Sequence, residues 1–342
     1  MKPVGMDELH RRYGPSLEAE MRSVVQHGED RQGSLFGMIR YHLGWVDSRF
    51  ERCEATSGKR VRPILCLLSC EGCGGAWEAA LPAAAAVELL HNFTLIHDDI
   101  EDRDRTRRGR PTVWSIWGEE QGINAGDTLF ALSQLALLRL EERGVPPAAV
   151  VEAARLFNET CVAITSGQHF DIQFEGQDDV SVEDYLTMID AKTAALLSCS
   201  CRLGALVAQA SAAQREQLRA FGRHSGLSFQ MLDDVLGIWG DSTVTGKPVG
   251  ADIARRKKTL PLLHGLERSA ELRELLAREC PSEDHVRRAQ RLLEEAGSRR
   301  YAEELARRHH DAALTALERA NLHGPAARAL RELTESLLNR RR

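Results

Sequence analysis

In a chain of 342 residues, the side chains best suited to chemistry are Asp98, Asp99 and Asp102, spaced as D-D-x-x-D. Positions four apart share one face of a helix, so Asp98 and Asp102 present two carboxylates side by side. Adjacent carboxylates repel, and each resists burial. A hard divalent cation such as Mg²⁺ resolves both difficulties, because it takes oxygen ligands. A solvated helix end carrying several acids would give the same string. Arg107, Arg108 and Gly109 follow closely. These arginines either make surface ion pairs with the acids or grip the free oxygens of a phosphate ligand whose metal the acids hold.

A second acidic pair, Asp233 and Asp234, echoes the first: QMLDDVLG at 230–237 resembles LIHDDIED at 95–102. Gln230 lies three and four positions earlier, on the same face. Gly246-Lys247 and Arg255-Arg256-Lys257-Lys258-Thr259 come next. They are either a solvated charge run or the cationic side of a metal-bridged diphosphate. In a third patch, Gly58-Lys59-Arg60-Val61-Arg62-Pro63, Lys59 and Arg62 share a face if a helix begins there. The P-loop spacing is missing, so the reading is an anion held at a helix start. His91 stands two turns before Asp98 on that helix face. By itself it would read as a core histidine.

The elements that must position these groups are helices. Alanine, leucine, glutamate and arginine dominate, and these are good helix formers. Alternating β-branched runs are missing. The pattern predicts helices over 7–26, 33–50, 60–72, 78–102, 122–142, 147–174, 182–208, 212–238, 258–278, 283–296, 298–320 and 324–340, separated by Gly, Pro, Asn, Asp or Ser. The expectation is an all-α chain forming one domain over 1–342. The helix at 78–102 is apolar enough from Leu81 to Leu90 to be buried on most sides.

Hydrophobic residues make up 43% and charged residues 28%, as in globular proteins. The net charge of −5 argues against a general nucleic-acid partner. No run reaches the roughly 18 apolar residues of a membrane helix, and MKPVGMDELHRRYGPS lacks a signal peptide's apolar core. Most of the eight cysteines lie in apolar runs and read as core residues in a reducing compartment. Cys70 and Cys73 form a C-x-x-C, but zinc would need two more clustered ligands, and only Cys66 is near. Arg340-Arg341-Arg342 reads as a frayed tail.

With these motifs in order, the chain resembles the trans-isoprenyl diphosphate synthases, the polyprenyl synthetase family, over roughly residues 30–340. The carrying segments are GKRVRP at 58–63, LLHNFTLIHDDIEDRDRTRRGRPT at 89–112, KT at 192–193, FQMLDDVLGIWGD at 229–241, GKP at 246–248 and KKTLP at 257–261. The ordered set is specific, although each motif alone is weak.

The resemblance implies a single large helical bundle of the isoprenoid synthase type with a central cavity. It implies an isopentenyl diphosphate pocket at Lys59, Arg62, His91 and Arg108. It also implies an allylic diphosphate bound through metals, completed by Arg107, Lys192, Thr193, Gln230, Lys247 and Lys257. Metal binding maps to Asp98, Asp99, Asp102, Asp233 and Asp234, with three Mg²⁺ ions. The principal catalytic groups map to Asp98, Asp102, Asp233, Lys192 and Lys247. The family's second motif usually ends in aspartate, whereas this chain has Gly237 there, with Asp241 four residues on.

The implied reaction is ionisation of the allylic diphosphate, attack by the alkene of isopentenyl diphosphate, and proton loss. Phe93 would floor the pocket for the growing chain, with small Thr94 beside it. That pattern looks most like enzymes making geranylgeranyl diphosphate, with farnesyl diphosphate as the alternative. A cytoplasmic homodimer is also implied, with an apolar helix such as 122–140 supplying the interface. A terpene cyclase would not need Lys59, Arg62, His91 and Arg108, and a non-catalytic subunit would have lost more of the motifs than Gly237 alone.

Overall fold

The computed structural model describes residues 5–26, 33–53, 55, 58–240, 250–277 and 282–338. Lys247, Asp241, Cys280 and Arg340–Arg342 therefore lie outside the described residues. The fold is all-α apart from one short hairpin. Contacts divide the chain into two compact units.

Unit 1 comprises Met1–Leu156, Arg202–Ser211 and His323–Ala326. Its helices are α1 (Met6–Gln26), α2 (Gly33–His42), α3 (Val61–Gly72), α4 (Leu81–Glu101), α5 (Val113–Trp117), α6 (Glu119–Leu138) and the first part of α7 (Pro147–Glu175). α4 starts well because Pro82 sits in its first turn, where a missing N–H costs nothing. Every residue from Leu81 to Leu90 is buried, with α1, α3 and α6 packed around the helix.

One expectation needs correcting here. The stretch Trp77–Glu101 is long and apolar enough to cross a membrane, although 72% of its most apolar window is buried within the protein. That burial is what a core helix requires.

α2 is shorter than the predicted 33–50. It stops at His42, Gly44 turns back with φ 83°, and Val46 bridges Arg52. The hairpin pairs β1 (Thr106–Arg107) with β2 (Arg110–Pro111). Its two central residues, Arg108 and Gly109, have φ of 53° and 74°, as a tight hairpin turn needs.

Unit 2 comprises Phe157–Cys201, Ala212–Leu322 and Ala327–Arg342. After α7 come α8 (Val182–Ile189), a π-helical turn at Asp190–Ala194, α9 (Ala195–Val207) and α10 (Ala212–Trp239). Then follow α11 (Ala251–Ala254), α12 (Leu260–Arg268), α13 (Ala270–Ala277), α14 (Glu283–Glu295), α15 (Ser298–Arg319) and α16 (Gly324–Leu338). Ser181 and Asp184 cap the start of α8 reciprocally. The predicted single helix at 258–278 is two helices, because Ser269 adopts an extended conformation. α10 packs along α15, and Tyr185, Met188, Leu227, Met231, Val235, Leu260, Ala302 and Ala306 form the core between the elements of this unit.

The seven described cysteines are free, and five of them are buried. Burial pushes the Cys70 thiol up to about 12 and the Cys73 thiol up to about 11.

Candidate active site

In unit 1, the end of α4 separates its acids by facing direction. Asp98 is half-buried and Asp102 is exposed. Asp99 is 1% exposed and accepts a 2.6 Å hydrogen bond from Arg107 Nε. Burial pushes the Asp99 carboxyl up to about 6, against the pull of Arg107. The i, i+4 pair Asp98 and Asp102 is therefore the part of the motif turned away from the core, while Asp99 fixes the arginine of β1.

Arg108 sits at the hairpin turn in the left-handed region, a conformation that costs a branched side chain roughly 1–2 kcal/mol. Its guanidinium lies over Gly58, where a Cβ would come within 2.4 Å of Nη2. The glycine of GKRVRP thus makes room for the second arginine of the hairpin. At the start of α3, Arg62 Nη1 donates to His91 Nε2 at 3.3 Å. Arginine can only donate, so the imidazole carries its proton on Nδ1. Burial holds His91 well below its ordinary range, and Arg62 and Arg108 lower it further. Lys59 is exposed beside them. Arg60 is committed elsewhere, pairing with Glu18 at 2.5 Å.

Two groups at this cluster were not singled out from the sequence. Glu88 is buried, and its carboxyl is raised by burial and lowered by Arg60, Arg62 and Arg108. It accepts from Asn92 Nδ2 at 3.1 Å. His42 is held down to about 3 by burial and by Arg107 and Arg108, and its Nε2 has no hydrogen-bond partner. Neither carries a sequence signal, because each acquires its meaning from residues distant along the chain.

Phe93 is half-buried on α4. Its ring meets His97 edge-on at 4.7 Å and Phe130 of α6 at 5.3 Å. Thr94 turns its hydroxyl back onto the His91 carbonyl at 2.8 Å, which leaves only its methyl as outward bulk.

Unit 2 repeats the division of labour. Asp233 is exposed, whereas Asp234 is 3% exposed. Asp234 Oδ2 accepts from the Tyr185 hydroxyl and from the Leu260 N–H, the latter at 3.0 Å, and Oδ1 accepts from Gln230 Nε2 at 3.0 Å. Gln230 Oε1 in turn accepts from Thr193 Oγ1 at 2.9 Å. Burial pushes Asp234 up to about 7, against its three hydrogen bonds and Lys257. Lys192 pairs with Asp171 at 2.5 Å. The π-helical turn carries both Lys192 and Thr193, and such turns cluster at functional sites. Gly226 admits it, since a Cβ there would meet Ala194 Cα at 2.6 Å. Lys257 is half-buried, and its N–H donates to the Asp252 carbonyl at 2.9 Å.

Asp99 and Asp234 thus depart from the expectation that all five acids serve a metal, since protein donors already occupy their carboxylates. Asp98, Asp102 and Asp233 remain outward. Among the described residues, no three acidic, histidine or cysteine side chains gather tightly enough to hold a metal ion alone. That donor set still fits Mg²⁺, which usually takes one or two carboxylates and completes its shell with water and substrate phosphate. Tyr185, Asp171 and the Leu260 N–H are further groups that the sequence did not expose.

The family model described as polyprenyl synthetase matches residues 44–293. The chain is 44% identical over 325 residues to a geranylgeranyl diphosphate synthase of Mycobacterium tuberculosis, covering 94% of this chain and 89% of that protein. It is 39% identical over 311 residues to a (2E,6E)-farnesyl diphosphate synthase of the same species, covering 89% and 85%. A crystal structure of a polyprenyl synthetase from Streptomyces coelicolor A3(2) superposes with a TM-score of 0.89 at 35% identity, covering 98% of this chain and 100% of that one.

Proposed function

The chain belongs to the polyprenyl synthetase family and is a short-chain prenyltransferase, and from that premise we propose that it condenses isopentenyl diphosphate with allylic diphosphates to make geranylgeranyl diphosphate. The observation that carries this reading is the double pattern at the two acidic motifs. In each, one aspartate faces outward and its neighbour faces inward to hold a basic or polar partner.

Arg62, His91, Lys59 and Arg108 are the proposed grip on the diphosphate of isopentenyl diphosphate. The Arg62–His91 pair keeps the imidazole neutral, so the site offers fixed N–H donors with no competing acid on that ring. Arg107, Lys192, Thr193, Gln230 and Lys257 are the proposed partners of the allylic diphosphate, together with Lys247. Asp98, Asp102 and Asp233 would hold Mg²⁺, which when bound offsets the charge developing on the leaving diphosphate. Fixed lysines and arginines add to that stabilisation because they are already oriented before bond cleavage.

Phe93, backed by Phe130, is the proposed floor for a twenty-carbon product. We read 1–342 as one functional domain acting as a cytoplasmic homodimer. Leu135 and Leu138 of α6, 56% and 51% exposed, support the predicted apolar contact helix, and sedimentation of the purified chain tests it.

The deciding experiment offers isopentenyl diphosphate and Mg²⁺ with dimethylallyl, geranyl or farnesyl diphosphate in turn, and sizes the dephosphorylated products by mass. A C20 alcohol from all three primers is expected. Stopping at C15 would assign farnesyl diphosphate instead. No elongation by a folded protein would overturn the reading.

A further inference from the structure

Gly237 stands where the second acidic motif lacks its last carboxylate, and the space a side chain would use there is already filled. A Cβ on Gly237 would lie 1.9 Å from Asp252 Oδ2 and 2.7 Å from its Cγ. The carboxylate of Asp252, on the short helix α11, therefore rests directly on the glycine's Cα. Positions 233 and 237 are four apart on α10, so they share a face. That is also the spacing of Asp98 and Asp102.

We propose that Asp252 supplies the metal-holding carboxylate that position 237 lacks. In space, Asp233 and Asp252 form the pair that Asp233 and an aspartate at 237 would form in sequence. The glycine is then the condition for the exchange: any side chain at 237 would evict the Asp252 carboxylate. Asp252 is also tied to the cation side of the site, because its carbonyl accepts the Lys257 N–H at 2.9 Å. One short turn thus carries a carboxylate toward Asp233 and fixes the start of the Lys257 segment. The inference rests on the proposed diphosphate chemistry and deepens its metal requirement.

The test measures Mn²⁺ binding by electron paramagnetic resonance in the presence of inorganic diphosphate, alongside turnover, for the full chain and three variants. Asp252→Asn keeps the volume and removes the charge. It should weaken diphosphate-dependent Mn²⁺ binding at least tenfold while circular dichroism is unchanged. Gly237→Asp alone crowds two carboxylates together and should also weaken binding. Gly237→Asp combined with Asp252→Gly returns the carboxylate to α10 and should recover most of the loss.

Wild-type Mn²⁺ binding in Asp252→Asn would overturn the proposal and leave Asp252 as a space-filler. If Asp252→Asn does not fold, the double variant decides: recovery supports the exchange, and a folded double variant without recovery refutes it. A wild-type chain that neither elongates nor binds Mn²⁺ with diphosphate would overturn the functional reading and this inference together. A wild type that does both, with Asp252→Asn unaffected, would overturn the inference alone.

Discussion

Tyr185→Phe removes one hydroxyl and leaves the aromatic packing of α8 in place. That hydroxyl donates to Asp234, which is 3% exposed and has only two other protein donors, the Leu260 N–H and Gln230 Nε2, each at 3.0 Å. A hydrogen bond to a charged group contributes roughly 1.5–3 kcal/mol net, and burial prevents water from replacing it. The variant should lose stability of that order in urea denaturation.

The functional loss can be bounded by the same figure. Asp234 joins α8, α10 and the first residue of α12, and the Lys257 segment leads directly into that residue. If the whole loss were felt in the transition state, kcat/KM would fall by roughly 10- to 200-fold, at tenfold per 1.36 kcal/mol. A fall within that limit is expected, and it should be larger in Asp234→Asn, whose amide N–H₂ would face a donor. A Tyr185→Phe protein with unchanged denaturation midpoint and kcat/KM within twofold of wild type would refute the idea that this carboxylate ties the three segments together.

Other perturbations test separate parts of the molecule. Arg62→Met removes the donor from His91 Nε2 and should raise KM for isopentenyl diphosphate at least tenfold in steady-state assays, with a smaller effect on kcat. Phe93→Ala should shift products upward by one or more five-carbon units, and Phe130→Ala, which removes only the ring behind it, should give a partial shift in the same mass analysis. The His224–His309 pair, with Nδ1 atoms 2.9 Å apart, should make the protein acid-sensitive. Burial and His224 hold His309 down to about 4, against 6.5 for the free side chain. Between those values the unfolded chain binds the extra proton, so stability is full above 6.5 and is lost as the pH falls toward 4. His309→Gln should flatten the pH dependence of the urea midpoint over that interval.

The outline of the fold was legible because alanine and leucine specify helices locally, and Gly, Pro and Ser interrupt them. The pairing of Asp98 with Asp102 was legible because helical periodicity alone sets it. The separate fates of Asp99 and Asp234 were less so. Neighbours on a helix point about 100° apart, so at the end of a buried helix one of two adjacent acids must face inward. The sequence shows the pair but not which partner waits inside. Arg107 is 8 residues from Asp99, whereas Tyr185 is 49 residues from Asp234, and no local pattern announces the longer contact. The hairpin at 106–111 and the break at Ser269 were missed for a related reason. Two-residue strands and a single extended residue leave too short a trace to compete with the helical composition around them.

The π-helical turn at Asp190–Ala194 has a consequence for how this segment tolerates change in length. A π turn holds a residue more than an α turn, so deleting one residue there would leave an ordinary helix of almost unaltered composition. Everything on one side of the deletion would then swing by about 100° relative to the other side. Lys192 would no longer meet Asp171, or Thr193 would no longer meet Gln230. These two side chains are placed by counting along the chain as much as by their chemistry. Single-residue insertions and deletions between 190 and 194 should accordingly be more damaging than most point substitutions in the same stretch.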